Sequence, residues 1–90
     1  MRMAHKTVTS NRIDVLRKQK EMTQEELANC LGVKQASISR KLAGVIPFSV
    51  QEVKACVSIF HTSADYLYGL SDIPDERSDM NPRETGPEYE

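Results

Sequence analysis

Residues 23–44, TQEELANCLGVKQASISRKLAG, decide how this chain folds. Thr23 is a good helix N-cap, and Glu26, three residues on, completes the reciprocal hydrogen bonding of a capping box. Leu27, Ala28 and Leu31 then share one face at helical spacing. Gly32 can take a positive φ without a steric penalty, which a sharp turn after a helix requires. A second helix follows over 35–43, with Ile38 and Leu42 one turn apart as its buried edge and Gly44 as its stop. Its other faces carry Lys34, Gln35, Ser37, Ser39, Arg40 and Lys41. An apolar inner edge with amide, hydroxyl and guanidinium groups outside is what a helix needs to read DNA.

Working outward, the pattern predicts a first helix from Ser10 or Asn11 to Glu21. Ser10 or Asn11 is its cap, Ile13 and Leu16 face inward with Val15 beside them, and Arg17, Lys18 and Lys20 suit the dipole of its last turns. Downstream, Val45 to Phe48 form a short loop stiffened by Pro47. Ser49 and Glu52 make a second capping box, with Phe48 placed as a hydrophobic staple. The helix they open runs to Phe60, with Val50, Val53, Val57 and Phe60 on one face. Ser63 caps a fifth helix, in which Leu67 and Leu70 point inward and Tyr66 and Tyr68 flank them. The expected architecture is all-α: a compact five-helix domain over 10–70, after a flexible basic arm over 1–9. The segment 71–90 is polar and acidic and holds three of the four prolines, the composition of a disordered tail.

Composition narrows the functions. Ninety residues suit one small domain with a modest core. No apolar run is long enough to span a bilayer, and the N-terminus lacks the apolar core of a signal peptide, so a cytoplasmic protein is expected. The net charge of −1 conceals an asymmetry. Residues 1–70 hold ten Lys/Arg against six Asp/Glu, a net +4, and residues 71–90 hold two against seven, a net −5. Between Glu26 and Glu52 there is no carboxylate, while Lys34, Arg40 and Lys41 lie there. A polyanion can approach that interval with little repulsion. Cys30 and Cys56 read as buried reduced thiols, and neither they nor His5 and His61 have ligand spacing for a metal. No nucleophile elbow, phosphate loop or clustered His/Cys/Asp set is present, so no enzyme activity and no cofactor are expected.

Taken in order, several short motifs resemble one family. They are Leu16-Arg17, Thr23-Gln24-Glu25-Glu26-Leu27-Ala28, Leu31-Gly32-Val33, Ile38-Ser39-Arg40, Leu42, Gly44, and Ser63-Ala64-Asp65-Tyr66-Leu67 with Gly69. The combination, covering residues 11–70, is similar to the lambda-repressor-like helix-turn-helix family, also called the Xre or Cro/C1 type. The resemblance implies a five-helix fold with the third helix in the major groove. Carried over by position, Gln35, Ala36, Ser37 and Arg40 face base edges, and Gln24, Lys34, Ser39, Lys41 and Ser49 face phosphates. Gln pairs with adenine, Arg with guanine, and an alanine methyl meets the thymine methyl. The implied function is a sequence-specific double-stranded-DNA-binding regulator, a phage- or prophage-type repressor working as a homodimer on a two-fold operator. The end of the fourth helix and the fifth helix, with Tyr66 and Tyr68, would form the dimer surface. The alternative is an antitoxin or protein-interaction module whose tail or apolar patch holds a partner such as a toxin or an anti-repressor.

Three positions depart from the family pattern. Lys34 stands where a Ser or Thr cap is common. Lys41-Leu42 replaces an apolar residue followed by Glu, which leaves Arg17 to find another partner. Val45 and Ile46 follow Gly44, where Lys or Arg is frequent, and at least one of them is expected to be exposed.

Overall fold

The computed structural model describes residues 7–73. Five helices follow one another: α1 (Val8–Gln19), α2 (Gln24–Leu31), α3 (Gln35–Leu42), α4 (Val50–Phe60) and α5 (Ala64–Leu67). No strand occurs among the described residues. Each helix sends its apolar edge to one core, where Ile13, Leu27, Ile38, Val53, Cys56 and Leu67 are at most 1% exposed. Leu16, Leu31, Phe48 and Phe60 pack around it half-buried. Burying a side chain of this kind contributes about 1.5–3 kcal/mol, which no single short helix here supplies by itself. The expected arm residues Arg2, His5 and Lys6, and the tail from residue 74 onward, lie outside the described residues.

The first helix begins earlier than its sequence suggests. Thr7 is the cap: its Oγ1 accepts from the Ser10 amide at 3.0 Å, and its own amide donates to Ser10 Oγ at 2.8 Å. Ser10 therefore closes a capping box and is buried. Thr7 and Ser10 have the spacing of a capping box, but a hydroxyl at the third position is a weaker signal than the usual Glu. The same helix stops at Gln19, because Glu21 turns left-handed with φ 57°. The Met22 amide then donates back to Arg17 O at 2.9 Å. Val15, expected near the core, is 40% exposed.

Arg17 has a partner inside its own helix. Its Nε and Nη2 donate to Asp14 Oδ1 at 3.0 and 2.7 Å, and Nη1 donates to Met22 O at 2.7 Å. Both side chains of the pair are only about a tenth exposed, so the guanidinium knots the end of α1 to the loop before α2.

α5 is a single turn, capped by Ser63, whose Oγ accepts from the Tyr66 amide at 3.0 Å. It ends at Leu67, and Gly69, with φ +82°, turns the chain away. Leu70 is therefore 77% exposed rather than inward. A Cβ on Gly69 would stand 3.0 Å from Val8 Cγ1, so this turn lies directly on the start of α1. Arg12 fastens it: Nη1 donates to both Tyr66 O and Ser71 O at 2.7 Å, and the guanidinium lies 4.2 Å over the Tyr66 ring. The two cysteines differ. Cys56 is buried, which together with nearby Glu52 and Cys30 pushes its thiol up to about 12, whereas Cys30 is exposed on α2.

Asp14→Ala should leave the Arg17 guanidinium largely buried beside one carbonyl, at a cost of about 3 kcal/mol. The thermal midpoint followed by circular dichroism should then fall by at least ~10 °C. A fall below about 4 °C, equivalent to roughly 1 kcal/mol, would show that Met22 O alone satisfies Arg17.

Candidate nucleic-acid interface

α2 and α3 are joined by the turn at Gly32, which takes φ 71° and ψ 30°. The Val33 amide donates across it to Ala28 O at 3.0 Å. Thr23 and Glu26 form the capping box at the start of α2, with bonds of 3.0 and 2.8 Å. The N-cap of α3 is Lys34, whose ammonium has no acceptor to offer the free amides of the first turn, and the residue is exposed. Ile38 and Leu42 are buried, and they fix which side of α3 turns outward.

At 100° per residue, Gln35, Ala36, Ser39 and Arg40 fall on one outward arc of α3. All four are exposed, as is Lys34 at its start. Ser37 is half-buried on a flank of α3, so the structure separates it from the other three residues assigned to bases and puts Ser39 among them. Gln24 is half-buried at the start of α2. Lys34 and Arg40 form no ion pair among the described residues, and α3 carries no carboxylate. The outward arc thus offers an amide, a methyl, a hydroxyl and a guanidinium with unopposed positive charge.

Lys41 is placed differently. Its ammonium is hydrogen-bonded to Glu52 Oε2, and the two side chains are 13% and 12% exposed. Sequence assigned this lysine to phosphate; in the folded chain its charge is already matched. Glu52 also closes the capping box of α4: Oε1 accepts from the Ser49 amide at 2.8 Å, and the Glu52 amide donates to Ser49 Oγ at 3.1 Å. The start of α4, where Ser49 was expected to meet a phosphate, therefore already holds a carboxylate of this chain. Burial pushes the Glu52 carboxyl up, but hydrogen bonds from Lys41 and Ser49 and the Lys41 charge outweigh it, so it lies below its ordinary 4.5. Sequence reasoning missed this role of Glu52. The signal was there, since Glu52 is the first carboxylate after a basic interval, but its partner lies eleven positions away on another helix.

Among the described residues no group of three His, Cys, Asp or Glu side chains could hold a metal ion, and no helix is long and apolar enough to cross a membrane.

The sequence matches a protein family, described as the BetR domain, over residues 5–85. No curated protein matches it. Among solved structures, a hypothetical transcription factor, NHTF, from Neisseria is similar, with a TM-score of 0.62 at 19% identity over 74% of this chain and 71% of that chain. That likeness is one of fold.

The Lys41–Glu52 pair has a testable pH signature. Because the folded carboxyl titrates below its ordinary value, the pair stabilises the fold fully above about pH 4.5 and loses this as pH falls through the folded value. Glu52→Gln should cost about 1 kcal/mol in urea melts at pH 7 and less at pH 3.5. An equal cost at both pH values would assign the loss to the cap instead of the charge.

Proposed function

We propose that this chain, which belongs to the BetR domain family, is a sequence-specific regulator of transcription that reads double-stranded DNA with α3 in the major groove. The family is one of helix-turn-helix DNA-binding domains, and the fold is all-helical with the turn at Gly32 between α2 and α3. The observation that carries the finer reading is the outward arc of α3. Gln35, Ala36, Ser39 and Arg40 stand exposed together beside Lys34, with no carboxylate on that helix. Gln35 suits adenine, Arg40 suits guanine, and the Ala36 methyl suits thymine. Ser37 reaches a base only from the flank. Phosphate contacts fall to Gln24 and Lys34, and to Ser39 where it does not meet a base. Lys41 would have to leave Glu52 to join them.

The motifs over residues 11–70 support placement within the lambda-repressor-like, Xre or Cro/C1 type, and with it a repressor of the phage or prophage kind. One eight-residue helix reads few bases, which favours a homodimer on two half-sites about 34 Å apart. The exposed apolar residues Val8, Tyr68, Leu70 and Ile73, around the turn that Arg12 fastens, are suited to the dimer contact. Tyr66 is less available, because Arg12 covers its ring. A protein of this function works in the cytoplasm, where the DNA is, and needs neither catalysis nor a cofactor.

Selection of bound duplexes from a random pool should return a two-fold site. On that site Gln35→Ala should cost about 1–3 kcal/mol and relax preference at one base position. Lys34→Ala should instead weaken all sequences alike and flatten the dependence of affinity on salt. If both variants bind the selected and random duplexes as the parent does, α3 is not the reading helix.

A further inference from the structure

α3 ends in a rigid cap. Gly44 takes φ +85°, and its amide donates to Lys41 O at 3.1 Å. The Val45 amide donates to Arg40 O at 2.9 Å, and the Ile46 amide reaches the same oxygen at 3.5 Å. These are the paired bonds that close a helix with a left-handed residue. They hold Val45 and Ile46 at the tip of α3, in fixed relation to Arg40. Neither side chain belongs to the core: Val45 is 57% exposed and Ile46 37%. Two β-branched apolar side chains therefore stand in water where the candidate interface ends.

Phosphate is a poor partner for them. Their side chains offer no donor, and Lys41, in the last turn of α3, is matched by Glu52. Apolar surface gains by leaving water only against apolar surface. In the major groove the bases present one such group, the C5 methyl of thymine. It projects from the pyrimidine edge nearest its own strand's backbone, so a side chain beyond the end of a reading helix can meet it. Ala36 presents a second methyl near the other end of the same arc. Along α3 the rise from Ala36 to Leu42 is roughly 9 Å at 1.5 Å per residue, and the cap bonds set Val45 and Ile46 beside that far end.

We propose that Val45 and Ile46 are specificity-determining residues that pack on thymine methyl groups at the outer end of each half-site. The inference rests on the reading of α3 as the base-reading helix. It makes the exit of α3 an apolar sensor of thymine, where its start is polar and charged.

The test uses the full chain and the duplex selected from a random pool, with each thymine replaced in turn by deoxyuridine, which removes only the methyl. Affinity, read by fluorescence anisotropy, should fall about fourfold at one or two thymines of each half-site. The Val45→Ala, Ile46→Ala double variant should bind the thymine duplex more weakly and lose nothing further at those positions. Both side chains are exposed, so its thermal midpoint should equal that of the parent. Indifference of the parent protein to every thymine methyl overturns the proposal, as does a double variant with unchanged methyl sensitivity. If the double substitution changes the sedimentation of the free protein and leaves methyl sensitivity intact, the surface serves contact between proteins and the proposal fails. Failure of the pool to yield any preferred duplex sinks the base-reading role of α3 itself, a separate result.

Discussion

An eight-residue helix cannot hold itself in water, and it cannot keep a fixed aim without help. This constraint governs the whole molecule, because the candidate reading helix α3 has just that length. Its own sequence contributes two fully apolar anchors, Ile38 and Leu42, both buried against the other helices. Two contacts fix its rotation about the axis, and they leave its tilt open. The tilt is set from outside by the Gly32 turn at one end and by Lys41 on Glu52 at the other. The second tie lies in a half-buried setting where water screens it little, so removing one partner costs more than at an open surface. α3 is thus aimed by a charge that its sequence offers to DNA at first sight.

A parallel exchange occurs at α1. Arg17 lacks the glutamate at the end of α3 that its family resemblance would lead one to seek. Asp14, one helical turn back, takes the guanidinium, and Met22 O takes its remaining edge. The consequence is a shift of what Arg17 stabilises. A bond to α3 would join two helices of the core; the bonds seen here join α1 to the loop that leads into α2. The direct link between α3 and its surroundings passes instead to Glu52 of α4. Two separate pairs divide a task that one long-range pair could perform, and each is closed within a short stretch or between neighbouring elements.

The five helices and most of their inner faces were legible from residue spacing, because an apolar period and a capping box are local signals; on α4 the expected face fails at Val50, which is 66% exposed, while Cys56 is buried with Val53. Thr23 with Glu26, Ser49 with Glu52, and Gly32 all stand where those signals put them. Legibility failed where the outcome depends on what lies across the fold. Thr7 gives a weak cap signal, because its partner is Ser10 and not an acidic residue. Leu70 satisfied a helical period, but Gly69 ends the helix before the period can matter. Cys30 reads as apolar, yet it lies on the outer side of α2 while Leu27 and Ala28 fill the inner side. For the candidate site, the exposure of Ala36 and Arg40 follows from the positions of Ile38 and Leu42 on the opposite side of α3, whereas Gln35, about 20° from Leu42 by the same rule, is exposed at the first position of the helix. The matched state of Lys41 does not, since no spacing rule pairs residues eleven apart on two helices.

The same logic explains an apparent contradiction in charge. A chain of net −1 is a poor candidate for a polyanion, and attraction from its whole field is weak. What matters at contact distance is the unmatched charge within about one Debye length, roughly 8 Å in physiological salt. On the described surface of α3 and its start, that charge is Lys34 and Arg40, with Lys41 cancelled by Glu52. The positive field is therefore concentrated at the start and middle of the reading helix and fades toward its exit, where Val45 and Ile46 take over. A surface built this way gains less from non-specific phosphate binding than one with a basic residue at every position. More of its discrimination must then come from base edges and methyl groups, the contacts that carry sequence information.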